Sequence, residues 1–229
     1  MSRWFFRFSV IGIALASALP LQATAADMPA GEQQRAEQAY ASKLQADQEK
    51  ARDQLILGKT TALLNDPASP VLGNPSGDVA VIKFFDYACP FCKAVEPRLQ
   101  KLLKDDKNVK IIVKEFPILT LESLVAAKVA LASRKQGKYA QYHQALMNFK
   151  GRLTNEVIFD TAKTVGLDVE RIRKDMSAPE ITDEIIANFN LARGLRIFQT
   201  PAFIVGGHML TGPSAEIDFP KAVAAARAK

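Results

Sequence analysis

The stretch from Val79 to Lys93, VAVIKFFDYACPFCK, constrains the fold more than any other part of this 229-residue chain. Its first seven residues are apolar except for Lys83, and they are rich in β-branched and aromatic side chains, which favours a buried strand. The only two cysteines, Cys89 and Cys92, follow directly, and apolar residues then recur at helical spacing from Val95. This arrangement suits a dithiol redox centre, because the unpaired amides of a helix N-terminus stabilise a thiolate.

The N-terminus has the form of a secretory signal peptide. Residues 1–25 contain a basic pair, Arg3 and Arg7, an apolar run from Phe8 to Leu19, and an A-x-A motif that ends at Ala25. The apolar run is too short to span a bilayer well, so an uncleaved anchor is the weaker alternative. We therefore predict cleavage near Ala25 and export to the periplasm.

The net charge and the number and spacing of the cysteines reduce the range of possible functions. Removal of residues 1–25 takes away two arginines and no acids, which lowers the net charge from +6 to +4. The rest of the chain lacks the clustered basic face and interleaved aromatic residues of a nucleic-acid binder, so no nucleic-acid partner is predicted. A Cys89–Cys92 loop is too small for a disulfide to stabilise the fold greatly. In an exported protein, where thiol–disulfide chemistry takes place, a redox role is the better interpretation.

Residues 26–66 form a polar extension rich in strong helix formers. Its apolar face is thin until Leu55-Ile56-Leu57, so a helix here has little to bury. Three interpretations stay open, namely self-association of the helix, packing on its own domain, and a mobile tail. Turn-forming residues from Asn65 to Pro70 separate this extension from the rest of the chain.

The remaining pattern is typical of an α/β fold. Strands are predicted at Val71–Leu72, 79–85 and 109–116, with a helix from about Cys89 to Lys104; the last two strands and this helix form a parallel β-α-β unit. Further helices are predicted at about 121–135, 138–149, 154–165, 168–176 and 179–197. A strand from Thr200 to Val205, a turn at Gly206-Gly207, a partner strand at His208–Thr211 and a helix over Pro213–Ala228 complete the chain.

The segments FFDYACPFC, KEFPIL and TPAFIVGG together resemble the DsbA-like thiol–disulfide oxidoreductases. The polar extension, NDPASPVLGNPSGDV and FFDYACPFCK are most similar to the suppressor-of-copper-sensitivity C branch, and the resemblance covers nearly all of the mature chain. It implies a thioredoxin fold over 67–229 with a helical domain inserted at about 120–178. It also implies a cofactor-free oxidoreductase or isomerase that acts on cysteine-containing exported proteins and is reset by a membrane redox partner. The helical extension would then build a homo-oligomer, which the branch suggests is a trimer.

The resemblance also implies roles for the residues of the dithiol loop. Cys89, the more exposed thiol, is the attacking thiolate, and Cys92 resolves the mixed disulfide. Pro90 and Phe91 tune the redox balance between them. Phe91 stands where the prototype oxidase has a histidine, so we predict a less oxidising couple than that of the prototype.

Four residues outside the loop complete the predicted site. Pro201 is expected to be cis, to leave a backbone edge open to an extended substrate peptide and to keep metals off the thiols, while Thr200 contacts the substrate. Lys83 stands where the related oxidase has a glutamate. We predict that Lys83 pairs with Glu115 of the neighbouring strand and that the pair shuttles a proton to or from Cys92. The alternative for Lys83 is a strand-end charge that reaches solvent.

Metal binding is the competing chemistry. Cys89, Cys92, His143 and His208 match the ligand count of a tetrahedral zinc site. The two histidines, however, lie in different contexts, His143 at a predicted surface or helix interface and His208 at an exposed hairpin, so no metal site is predicted. Binding of Cu(I) by the reduced dithiol, in the service of copper tolerance, is the alternative function, because soft thiolates favour Cu(I).

Overall fold

The computed structural model describes residues 29–210 and 216–228. The predicted signal peptide, Thr211 and the predicted helix start at Pro213 lie outside the described residues. The chain divides into two compact units between Ala46 and Asp47. The described part of the first unit consists mainly of the start of helix α1 (Ala30–Leu57), whose side chains there are almost all exposed.

The second unit is built on a five-stranded sheet with the order β1-β3-β2-β4-β5. Its strands are β1 (Val71–Gly73), β2 (Val79–Phe85), β3 (Val109–Glu115), β4 (Ala202–Val205) and β5 (His208–Leu210). β2 and β3 are parallel, with Val79 opposite Val109 and Phe85 opposite Glu115, and the other pairs are antiparallel. The predicted parallel β-α-β unit is thus confirmed, with helix α3 (Pro90–Asp105) as the connection.

β2 and β3 are almost wholly buried, which explains their near-continuous apolar sequences. Side chains at alternate positions point to opposite faces of a sheet, and Val81 and Ile82 accordingly belong to different core clusters. One cluster includes residues of α3, of the helical block and of α9 (Phe219–Arg227). The other includes Ile56 near the end of α1, Leu63 of α2 (Thr60–Leu64), and apolar residues from the end of α8 (Pro179–Gly194). The end of the polar extension therefore packs on its own domain.

A helical block is inserted between β3 and α8. It comprises α4 (Leu121–Ser133), a 3₁₀ turn at Arg134–Gln136, α5 (Tyr139–Asn148), α6 (Asn155–Thr164) and α7 (Val169–Asp175). α4 is rich in fully buried alanines, so α5, α6 and α7 can pack closely around it. The predicted helices are confirmed, with ends that shift by up to three residues; α8, for example, ends at Gly194 rather than at 197.

The chain ends with a hairpin and a helix. Gly206 and Gly207, both at positive φ, form the predicted turn between β4 and β5. α9 begins at Phe219, after Asp218 caps it by accepting a hydrogen bond from the amide of Lys221. Residues 216 and 217, which directly precede Asp218, are not helical. The predicted helix start at Pro213 is therefore too early. Within the described ranges, no helix has both the length and the apolar character needed to cross a membrane.

Candidate active site

The two thiols lie at the N-terminus of α3. Cys89 is the N-cap, and its Sγ accepts a hydrogen bond from the amide of Cys92 at 3.4 Å. Pro90 occupies the first turn, where a missing N–H costs nothing because no helical partner exists for it. Both cysteines are free thiols, Cys89 3% and Cys92 0% exposed, so the expected difference in exposure is present but small. Phe91 between them is 64% exposed.

This position separates the pKa values of the two thiols. The Cys89 pKa is lowered to about 6, chiefly by a hydrogen bond from the Cys92 side chain; the Thr200 side chain and the amides of Cys92 and Phe91 also lower it, while burial opposes them. Burial raises the pKa of Cys92 far above its usual value, and the hydrogen bond with Cys89 adds to the effect. At neutral pH the pair therefore holds one thiolate and one thiol, the combination required for nucleophilic attack followed by resolution.

The loop before β4 closes over the dithiol. The Thr200–Pro201 peptide bond is cis, as predicted. When Cys89 is protonated, its thiol donates a hydrogen bond to the carbonyl oxygen of Thr200 at 3.3 Å, across 111 residues of sequence. The structure thus brings Thr200, one of the predicted site residues, into direct contact with the sulfur of Cys89.

Asp86 fixes the turn that carries the cysteines. Its Oδ1 accepts hydrogen bonds from the Ala88 amide at 2.7 Å and from the Ser123 hydroxyl at 2.6 Å. Its Oδ2 accepts from the amides of Ile118 and Leu119 at 2.8 and 3.0 Å. One buried carboxylate therefore ties the dithiol turn to the entrance of the helical block, a role that the sequence analysis did not recognise.

The predicted pairing of Lys83 with Glu115 is wrong. Lys83 is fully buried, and its Nζ lies 2.5 Å from Oε2 of Glu96, also buried, on α3. The register places Lys83 opposite Val113, with Glu115 two residues further along β3, whereas α3 crosses this face and presents Glu96 directly. The alternative of a charge that reaches solvent is wrong as well. Glu96 follows Cys92 by one helical turn, and this i+4 spacing is the signal that could have identified it.

Glu115 instead belongs to a second group of buried polar side chains. Its Oε1 accepts hydrogen bonds from Tyr139 at 2.7 Å and from Tyr87 at 3.2 Å. The Tyr87 hydroxyl also lies 2.9 Å from Nδ1 of His143, whose Nε2 lies 3.9 Å from Oε1 of Glu96. These contacts link six buried side chains into one group, namely Lys83, Tyr87, Glu96, Glu115, Tyr139 and His143. The sequence pointed to His143 only as a candidate zinc ligand and assigned no role to Tyr87, because their partners lie far from them in the chain.

The four residues of the zinc alternative do not gather into one site. His143 is fully buried at a helix interface, one of its two expected positions, and its ring faces Tyr87 and Glu96. His208 has a half-exposed side chain, as expected, and its Nδ1 lies 2.6 Å from Asp53. Across residues 29–210 and 216–228, no group of three or more His, Cys, Asp or Glu is placed to hold a metal ion.

Comparison with known proteins agrees with this geometry. The DSBA-like thioredoxin domain family matches residues 80–223, which span β2, the dithiol, the helical block and most of α9. This match covers more than half of the chain, and the chain therefore belongs to the DSBA-like thioredoxin domain family.

Individual relatives share parts of the chain to different extents. A thioredoxin-like oxidoreductase from Silicibacter pomeroyi DSS-3 is 42% identical, with a TM-score of 0.70 over 74% of this chain and 98% of that one. The catalytic domain of Proteus mirabilis ScsC is 29% identical, with a TM-score of 0.68 over 77% of this chain and 99% of that one. A Rickettsia typhi protein, named provisionally as a protein-disulfide oxidoreductase, is 29% identical over 60% of this chain. The matched region spans 54% of that relative, about half of its length.

Proposed function

We propose that this protein is a thiol–disulfide oxidoreductase of the periplasm that exchanges its Cys89–Cys92 pair with substrate proteins. The observation that carries the proposal is the unequal pair of thiols at one helix N-terminus. Cys89 has a pKa of about 6, whereas burial raises the pKa of Cys92 far above its usual value. Family membership and the oxidoreductase names of its relatives support the same activity.

In the oxidising direction, a substrate thiolate attacks Cys89 Sγ of the disulfide form. A substrate–Cys89 bond forms, the Cys89–Cys92 bond breaks, and Cys92 leaves with the electron pair and takes up a proton. A second substrate thiolate then displaces Cys89, which leaves as the stable thiolate. In the isomerising direction, the Cys89 thiolate attacks a wrong disulfide, and either another substrate thiolate or Cys92 releases the mixed disulfide.

Substrate binding is proposed at the Thr200–Pro201 loop. The loop lies over Cys89 and leads into β4, so an extended peptide beside it would place its cysteine near the attacking sulfur. Two largely exposed aromatic residues lie near this site in the sequence: Phe91 between the cysteines and Phe198 just before Thr200. Both offer apolar contacts to an unfolded chain. Cysteine-containing exported proteins are the proposed substrates.

We also propose the cellular setting and the division of the chain. A cleaved signal peptide at 1–25 would export the protein, and a membrane redox partner would reset the dithiol. Residues 26–66 would act as a helical extension to the domain at 67–229, with its insertion at about 120–178. The polar and exposed α1 is consistent with a helix that finds its partner in other copies of the chain.

The side chain of Phe91 is the basis for a proposal about the reduction potential of the Cys89–Cys92 couple. Because Phe91 carries no positive charge beside the Cys89 thiolate, we expect a couple less oxidising than the strongest periplasmic oxidants, which lie at about −120 mV. Equilibration with glutathione measures the potential directly. Phe91→His should move it toward more oxidising values, and an unchanged potential would contradict the role given to this side chain.

Three assays test the activity. The wild-type protein should oxidise a reduced substrate, reduce insulin and rearrange scrambled ribonuclease, and the relative rates decide between oxidase and isomerase. Cys89→Ser should abolish all three activities. Cys92→Ser should retain attack and accumulate mixed disulfides, because the resolving thiol is missing. A wild-type protein that is inactive in every assay but binds Cu(I) tightly through both thiols would replace this proposal with the copper alternative.

A further inference from the structure

We propose that Glu115, Tyr87 and His143 form a proton relay that ends at Glu96 and supplies or accepts the proton of Cys92 during exchange. The inference rests on the proposed function and deepens it, because it assigns the buried polar side chains a role in the same reaction. None of the three relay residues touches the dithiol. They are positioning residues that act through the Lys83–Glu96 pair.

The geometry of the relay is continuous over its first two contacts. Glu115 Oε1 lies 3.2 Å from the Tyr87 hydroxyl, which lies 2.9 Å from His143 Nδ1. The third contact, from His143 Nε2 to Glu96 Oε1, measures 3.9 Å. His143 Nε2 is buried and has no hydrogen-bond partner, so the ring presents an unused nitrogen to the carboxylate. A side-chain movement of about 1 Å by Glu96 would close the gap to ordinary hydrogen-bond length.

The chain of contacts has two states that differ by the shift of one proton. In the first, Glu115 is protonated and donates to Tyr87, Tyr87 donates to His143 Nδ1, and Nε2–H faces Glu96. In the second, Glu115 is a carboxylate that accepts from Tyr87, Tyr87 accepts from Nδ1–H, and the Nε2 proton has passed to Glu96. His143 changes tautomer and remains neutral throughout, which suits a ring whose pKa is lowered well below its usual value by burial and by Lys83.

This shift matches the proton demand of the reaction. When the Cys89–Cys92 bond breaks, Cys92 leaves as a thiolate in a position where burial strongly disfavours the charge. The Lys83–Glu96 pair, one helical turn away, delivers a proton to Cys92. The relay then returns a proton to Glu96, and Glu115 loses one. When Cys92 later attacks a mixed disulfide, its proton takes the reverse route. Solvent restores the protonation of Glu115 over the full cycle, so protons and electron pairs balance.

Other titratable groups face the relay, and they favour Glu115 as its proton store. Burial and the charge of Glu184 on α8 raise the pKa of Glu115 well above its usual value, against the two tyrosine hydrogen bonds and Lys83, which lower it. Tyr139 stacks on His143 and donates to the same Glu115 oxygen. Tyr142, further along α5, donates instead to the backbone oxygen of Ile158 and takes no part.

The decisive comparison is between two buried tyrosines. Tyr87→Phe removes the central hydroxyl but keeps a ring that packs edge-on against Phe85. Tyr142→Phe, the matched control, removes an equally buried hydroxyl outside the relay. The disulfide form of each protein is mixed with dithiothreitol, quenched with acid, and alkylated to measure the reduction rate across pH and in heavy water. We expect Tyr87→Phe to slow reduction about tenfold and to alter its pH profile and solvent isotope effect; this is less than the roughly 100- to 10,000-fold typical of a group that transfers the proton directly, because Tyr87 acts through Glu96. Tyr142→Phe should stay within about twofold of wild type.

A second measurement does not require a substitution in the relay. The chain has two histidines, so nitrogen NMR with a His208→Gln protein for assignment can report the tautomer of His143. We expect Nε2–H at neutral pH in the wild-type protein. An Nδ1–H ring, or equal rates for the Tyr87→Phe and Tyr142→Phe proteins, would overturn the relay. A wild-type disulfide that fails to exchange with any thiol substrate would instead overturn the proposed function, whatever the tautomer.

Discussion

Two fully buried lysines, Lys83 and Lys114, lie on opposite faces of the same sheet and differ in what surrounds them. Lys114 Nζ contacts three oxygen acceptors, at 2.8 Å from Ala62, 3.0 Å from Asp66 and 2.7 Å from Ser69. The described contacts of Lys83 Nζ are with Glu96 and with the ring of Phe85, at 4.7 Å from its centroid.

The difference separates a structural site from a chemical one. One acceptor of Lys114, the Ala62 carbonyl, lies in α2, and the other two lie in the connection between α2 and β1, so the ammonium group holds this part of the chain against the sheet. Lys83 lies beside Cys92, whose pKa it helps to lower against the much larger effect of burial. Lys83 is paired with one carboxylate near the dithiol, whereas Lys114 is held by three oxygen acceptors in another part of the fold. The partners of a buried charge, more than its burial, therefore indicate its role.

The largest expected effect is the loss of stability in Lys114→Met. Three buried or half-buried acceptors would lose their partner, which we expect to lower the free energy of unfolding by about 3 kcal/mol. Urea denaturation measures this loss. The exchange rate of the folded variant should match that of wild type, and a large fall in that rate would break the contrast between the two lysines.

Lys83→Met should affect the exchange rate more than the stability, the opposite of Lys114→Met. We expect exchange to slow about tenfold, because Cys92 loses the nearby positive charge and Glu96 loses its proton partner. The lifetime of the mixed disulfide in rapid-quench experiments is the sharpest readout, since the charge of Lys83 affects Cys92, the proposed resolving thiol. The stability loss should be smaller than for Lys114→Met, because one carboxylate loses its partner instead of three acceptors.

A double variant separates charge from packing at Lys83. Lys83→Met with Glu96→Leu removes the ion pair without leaving an unpaired charge, so most of the stability should return. The exchange rate should not return with it. Recovery of the rate together with stability would show that the pair has a purely structural role.

The pH profile of Cys89 gives a fourth test of the contrast. Alkylation of Cys89 by iodoacetamide should rise through a midpoint at about pH 6 and level off above it, because the thiolate reacts. The stability that this lowered pKa gives the reduced protein is complete above the free-thiol pKa of about 8.5 and is lost as the pH falls through about 6. We expect the same midpoint in Lys114→Met. A shifted midpoint there would link that lysine to the dithiol.

The smallest expected effect is the acid response of the Lys114 site. Burial raises the pKa of Asp66, but the hydrogen bonds from Lys114 and Ser69 together outweigh it, so the pKa lies below its usual range. Its contribution to stability is present above the unfolded pKa of about 3.9 and is lost as the pH falls through the lowered folded value. Asp66→Asn should flatten this part of the acid unfolding curve. A curve that matches wild type would show that Asp66 does not report on the Lys114 site.

The sequence sufficed for features that depend on near neighbours. The apolar run of β2, the helical spacing after Cys92 and the position of Cys89 at the start of α3 are local features, and each was predicted. In the structure, alternation along β3 puts Glu115 on the same face of the sheet as Lys83, which is compatible with the pairing predicted for them. The sequence did not indicate whether Lys83 would pair with Glu115 on the next strand or with Glu96 on the helix above it.

The dithiol motif within Val79–Lys93 was thus determined by the sequence itself, because a strand, a C-x-x-C pair and a helix start within fifteen residues leave few alternative structures. Only the tertiary structure decided which charges surround it. Lys83, Glu96, Glu115 and His143 come from four elements, and burial in a medium of low dielectric makes small differences in distance between them decisive. Those distances depend on how α3 and the helical block pack against the sheet, which no local pattern specifies.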